Sequence, residues 1–148
     1  MRQIRQNKSL YDNDFYEWSA VQADLLRKNN FEKADIENII EEIESLGRRD
    51  KKSLKSEIKR LLHHMLKLTY AHEYKGNSNS WEASIKSAKD HINDLLDESP
   101  SLRNEIPAIM EISYEDALLL AIADCCHAEH LFPKKCPWPL EKLFGGEI

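Results

Sequence analysis

The sequence predicts an all-α protein: a single-domain helical bundle of four to five main helices with a Pro-rich C-terminal segment packed on it. Three observations predict it. Glycine and proline supply only 4 and 5 of 148 residues, too few turn formers for many short strands. Apolar residues recur every three or four positions along most of the chain, which is the helical period. A chain of 148 residues suits one domain around one core and needs no disulfide staple.

The elements follow in order. Residues 1–9 are polar and basic and read as a flexible N-terminus, with residues 10–148 as a single helical domain. Asp12 is the expected N-cap of a first helix carrying Phe15, Trp18, Val21, Gln22, Leu25 and Leu26 on one face, with Asn29 and Asn30 ending it. A second helix carries Ile36, Ile39, Ile40, Ile43 and Leu46 inward, and Gly47 stands where a terminal glycine stops a helix. The third and longest, from Asp50 to Tyr74, has Leu54, Ile58, Leu61, Leu62, Met65 and Leu66 as its apolar stripe. The acidic second helix and the basic start of the third are expected to pair as an antiparallel hairpin. Lys75–Ser80 reads as a loop. A fourth helix, capped by Asn79 or Ser80, buries Trp81, Ile85, Ala88, Ile92, Leu95 and Leu96. Ser99 followed by Pro100 predicts a short helical turn. Pro107 opens a fifth helix, expected to be the most buried because of Ala117–Ala123, with Ser113 a possible recapping point. Three prolines among residues 133–139 exclude a long helix there. Phe132 and Trp138 are expected to anchor an extended tail, followed by a short helix over Pro139–Phe144.

Composition narrows the function classes. The net charge of −5 does not point to nucleic acid. The three cysteines, Cys125, Cys126 and Cys136, make a poor disulfide framework and fit a reducing cytoplasm. The N-terminus lacks the apolar core of a signal peptide, and the longest apolar run is too short to span a bilayer.

Several landmarks occur in order from Leu10 to Leu143: "LYDNDFYEW", "IIEEIESLGRRDKKSLKSEI", "LLHHMLKL", "SWEASI", "ESPSLR" and "FPKKCPWPLEKL". Together they resemble the bacterial, mainly cyanobacterial family called domain of unknown function 29. The resemblance implies an all-helical domain and carries no established activity. It also implies that His64, Lys67, Trp81 and Asp124 occupy positions of the family's usual pattern. The chain departs from that pattern at Lys89, where the family often has arginine. It departs again at Cys125, Cys126 and His127, where the family more often reads threonine, glycine and an apolar residue. The second departure speaks against a site built on those three side chains.

Four constellations bear on chemistry. His64, Lys67 and Asp124 are the catalytic candidates: a histidine beside a lysine has its pKa pushed down and can act as a base, but no nucleophile or phosphate-holding loop accompanies them. The structural alternative, which is preferred, is a polar cluster of Glu41, Glu42, His64 and Trp81, with His64 hydrogen-bonded to a glutamate across a helix interface. Asp124, Cys126, His127 and His130 are the metal candidates. Their i, i+3 and i, i+4 spacings put pairs of ligands on one helix face, and His64 or His72 could complete the set. No cofactor is expected, with a divalent transition metal as the alternative. Arg48, Lys52, Lys55 and Lys59 form a basic face that could meet phosphates, though without interleaved aromatics. The function therefore reads as a non-catalytic helical protein-interaction module, with a protein partner or homo-oligomer and no membrane. A metal-dependent helical-bundle enzyme is the first alternative. A nucleic-acid-associated regulator, such as a toxin–antitoxin component, is the second.

Overall fold

The computed structural model describes residues 10–71 and 78–144 and has no strand among them. The all-α class that the periodicity predicts is the class observed. In chain order the elements are α1 (Phe15–Arg27), α2 (Ile36–Tyr70), α3 (Ser78–Glu98), a 3₁₀ helix (Pro100–Glu105), α4 (Ile106–Asp124), a 3₁₀ turn (Glu129–Leu131) and α5 (Leu140–Phe144). Contacts gather the chain into two compact units, Met1–Arg49 and Asp50–Ile148.

In the first unit α1 is capped by Asp14, not Asp12: the Asp14 carboxylate accepts from the Glu17 amide at 3.0 Å. Asn29, at φ 54°, ends it in the left-handed conformation that asparagine tolerates. Trp18 is buried, and its indole N–H donates to Asp35 Oδ2 at 3.4 Å. Asn38 donates to the same oxygen at 2.7 Å, and the Asp35 amide donates to buried Gln22 at 2.8 Å. These bonds fix the turn into α2. Tyr11 and Phe15 pack on Trp18, with ring centroids 4.8 and 5.3 Å away.

The expected break at Gly47 is absent. The second and third helices of the sequence reading are one helix, α2, of 35 residues. Gly47 keeps helical backbone at a cost of about 1 kcal/mol relative to alanine. The residues after it are strong helix formers, and Arg48 reaches back over it to Glu44 at 3.5 Å and Glu41 at 2.5 Å. The acidic and basic stretches therefore follow one another within one helix and are not the arms of an antiparallel hairpin.

The second unit holds the main core. Leu54, Ile58, Leu61, Leu62 and Leu66 of α2 are buried with Ala88, Ile92 and Leu96 of α3 and Ile106, Ile109, Met110, Ala117 and Ala121 of α4. Asn79 and Ser80 lie inside α3, which begins at Ser78. Residues 75–77 of the expected loop, and Tyr74, fall outside the described residues. Ser99–Pro100 does start a helical turn. Ser113 does not interrupt α4. Its hydroxyl is fully buried and donates to the Lys55 carbonyl at 3.5 Å. As expected, α4 has the largest buried share of the long helices, seven of its 19 residues, although Ile112, Leu119 and Leu120 are 50%, 67% and 42% exposed. The core takes only one stripe of that helix, whereas the apolar run Ala117–Ala123 covers every side of it. The tail is anchored as expected. Phe132 and Leu143 are buried, Tyr114 donates to the Pro133 carbonyl at 2.6 Å, and Trp138 packs 6.4 Å from Tyr70.

Candidate functional site

The sequence singles out His64, Lys67, Trp81 and Asp124, and the second unit brings three of them together. Lys67 faces inward from α2, its side chain only 9% exposed. Its ammonium donates to Asp124 Oδ2 at 2.7 Å and lies 5.1 Å from the centre of the buried Trp81 ring. An ammonium this far from water needs a counter-ion and hydrogen-bond acceptors. Asp124 provides both, and the indole face adds a cation–π contact. Asp124 is the last residue of α4, where the helix dipole disfavours a carboxylate. Two donors outweigh that.

The second donor is His63, not His64. His63 Nε2 lies 2.9 Å from the same Asp124 oxygen. His63 and Lys67 are one helical turn apart at i, i+4 and share a face of α2. His64, at i−3 from Lys67, is an equally regular helical neighbour, so spacing alone does not single out His63. His64 packs against His63 with ring centroids 5.0 Å apart, and its Nδ1 is buried with no hydrogen-bond partner among the described residues.

The protonation states follow from these surroundings. Burial, and then the Lys67 charge, push the His63 pKa below 6.5. Burial, the neighbouring His63 and Lys67 bring His64 down to about 4. Burial alone would raise Asp124, but hydrogen bonds from Lys67 and His63 and their charges bring it below the usual carboxylate range. At neutral pH the cluster is thus a Lys67⁺–Asp124⁻ ion pair with a neutral His63 donating from Nε2. This arrangement fastens α2 to α4. Cys125, the next residue along, is buried, and burial pushes its thiol up, away from nucleophilic thiolate.

The expected partnership of His64 with Glu41 or Glu42 is not made. Glu41 accepts from Arg48, and Glu42 accepts from the Tyr11 hydroxyl at 2.5 Å, which pushes that phenol up to about 12. Both glutamates lie on the same helix as His64 but about six turns earlier. The register-fixing role expected of His64 is taken by His63 and Lys67 acting on Asp124.

The metal candidates lose the helical spacing that motivated them. After Asp124 the backbone leaves the helix, Cys126 and His127 have φ of 54° and 62°, and His130 belongs to a separate 3₁₀ turn. Helical i, i+3 and i, i+4 geometry therefore does not hold for Asp124–His127 or Cys126–His130. No group of three or more His, Cys, Asp or Glu ligands converges among the described residues. His72 lies outside the described residues. On the basic face, Arg48 is paired along its own helix, and Lys55 lies 3.8 Å from Asp116. Lys52 is exposed and Lys59 partly so.

A separate apolar feature, which the helical period predicts to be core, lies in the first unit. Ile36, Ile40, Ile43 and Leu46 of α2 are 39–63% exposed. They recur at helical spacing on one face, which also carries Gly47. An added Cβ at Gly47 meets nothing within 4 Å.

The fold and these features define an all-helical protein with a buried lysine fastened to a partly exposed carboxylate and a histidine, and with an exposed apolar helix face. The chain belongs to the family described as domain of unknown function DUF29, whose model matches residues 10–147. No curated protein and no solved structure matches the chain. Among the described residues no helix is long and apolar enough to cross a membrane.

Proposed function

We propose that this protein is a helical interaction module that binds another protein through the apolar face of α2 in its first unit. The observation that carries this reading is the contrast within one helix. From Leu54 to Leu66 the apolar stripe of α2 is fully buried, whereas from Ile36 to Leu46 the same kind of stripe is largely open to solvent. Contiguous exposed apolar residues rimmed by charge mark a contact surface. The Lys67–Asp124–His63 cluster then serves as the fastening of the second unit, not as a reaction centre. No cofactor enters this reading. The cytoplasm is its compartment, in keeping with an odd number of cysteines, two of them adjacent, which makes a poor disulfide framework.

A photo-crosslinking residue placed at Ile43, and in a control at exposed Lys86, tests it in the native cell. The expected result is a discrete crosslinked protein from the Ile43 position and none from the control. Equal or absent crosslinking at both positions would contradict the reading.

A further inference from the structure

We infer that the occupant of this face is a second copy of the same chain, docked antiparallel across α2 between Ile43 and Gly47; this rests on the interaction reading above. The charge pattern selects the partner and its direction. Glu41, Glu42 and Glu44 precede the crossing point, and Arg48 and Arg49 follow it. An antiparallel copy sets the glutamates of one chain beside the arginines of the other, twice over by symmetry. A parallel copy would set glutamate against glutamate and arginine against arginine.

Within one chain Arg48 already bonds Glu41 and Glu44, with all three side chains more than half exposed. Exposed pairs of this kind contribute little, so exchanging them for partners across an interface costs little. Ile40, Ile43 and Leu46 would lie at the centre of the contact, where apolar side chains have most to gain from losing water.

Gly47 is the independent observation. It sits on the same face, inside a helix where glycine is unfavourable, and has positive φ nowhere to excuse it. Its own chain leaves open space over it, so nothing within the described residues requires the missing side chain. A glycine on a helix face permits close approach of another backbone, and at this crossing the approaching backbone is that of the second copy.

The test uses the full chain in two charge-reversed forms, Glu41→Lys/Glu44→Lys and Arg48→Glu/Arg49→Glu, with light scattering after size exclusion as the readout. Wild-type protein is expected at twice the mass of one chain. Each variant alone is expected to be monomeric over the same concentrations, and an equimolar mixture to return to the doubled mass. All substituted positions are exposed, and helical circular dichroism checks each fold. Gly47→Gln adds a variant with better helix propensity; it is expected to raise helix stability yet weaken self-association by roughly tenfold or more.

A wild-type monomer at the highest soluble concentration would overturn the inference. So would dimeric single variants, a mixture that stays monomeric, or a Gly47→Gln dimer as tight as wild type. If the wild type is monomeric while Ile43 still crosslinks a different protein in cells, the second copy is excluded and the interaction reading survives. If Ile43 crosslinks nothing, both fail.

Discussion

Asp124 is the residue on which the second unit's polar fastening turns. Replacing it by alanine leaves the Lys67 ammonium without its counter-ion in a site only 9% exposed. Breaking a fully buried pair costs about 3–5 kcal/mol. Asp124 itself is 45% exposed, so water reaches the site and about 2 kcal/mol is the expected loss in urea unfolding. Lys67→Met with Asp124→Ala removes both charges together and is expected to recover most of that loss. A double variant as unstable as Asp124→Ala would show that the side chains matter through packing rather than charge.

The two histidines give the same cluster a pH signature. Both pKa values are depressed in the fold, His64 to about 4, whereas an unfolded chain takes up those protons near 6.5. Below that point the unfolded state binds more protons, so stability is fully present above about pH 6.5 and declines as the pH falls towards 4. Asp124, also depressed, adds a loss of the same sign only below about 3.8. Unfolding free energies between pH 7 and 5 are expected to fall with acidification, and His64→Leu to flatten that slope. Stability that rises on acidification would contradict the assignment of neutral imidazoles. In the sequence, Lys67 and Asp124 were legible together only as catalytic candidates with His64, and Trp81 joined them only through the family resemblance; the preferred polar cluster of Glu41, Glu42, His64 and Trp81 left out Lys67, Asp124 and His63. Adjacent residues on a helix differ by about 100° in direction, and periodicity alone does not fix which of His63 and His64 meets a carboxylate on another helix.

At the scale of elements, α2 holds the main departure from the sequence reading. Gly47 followed by charged residues looks like a helix stop, because glycine is the common terminal residue. Stopping there requires a left-handed turn and a change of chain direction. The arginines and lysines that follow prefer to continue, and Arg48 ties the two sides of Gly47 together. Gly47→Ala is therefore expected to stabilise dilute protein by about 1 kcal/mol, since alanine is the better helix former and its Cβ has room. Thermal unfolding measures it, and destabilisation would mean that Gly47 adopts a conformation alanine does not tolerate. Helix identity was legible from the apolar period at Trp18, Leu54–Leu66 and Ile92, and for α4 from Pro107 at its start and the apolar run Ala117–Ala123. The end of α4 was not. Asp124–His130 keeps a helix-like spacing of polar residues in sequence while Cys126 and His127 take positive φ, and no residue type announces that change. The exposed Ile36–Leu46 stripe was also read as core, because an amphipathic pattern says which face is apolar and not what covers it.

For the whole molecule, burial is unevenly shared. Trp18 is the one buried hydrophobic residue among those described in Met1–Arg49, whereas the remaining buried hydrophobics all lie in Asp50–Ile148. Local stability follows buried apolar contact, so the second unit is expected to hold the slowest-exchanging amides. A single helix, α2, carries both environments, and the contrast between them is open to direct measurement. Hydrogen exchange resolved along Ile36–Tyr70, at low and high protein concentration, measures it directly. In dilute protein the amides from Leu54 to Leu66 are expected to exchange slowly and those from Ile36 to Arg49 quickly, with the latter slowing as concentration rises. Uniformly slow exchange from Ile36 to Leu66 at every concentration would mean that the isoleucine face is already covered within its own chain, and the interaction surface would not exist.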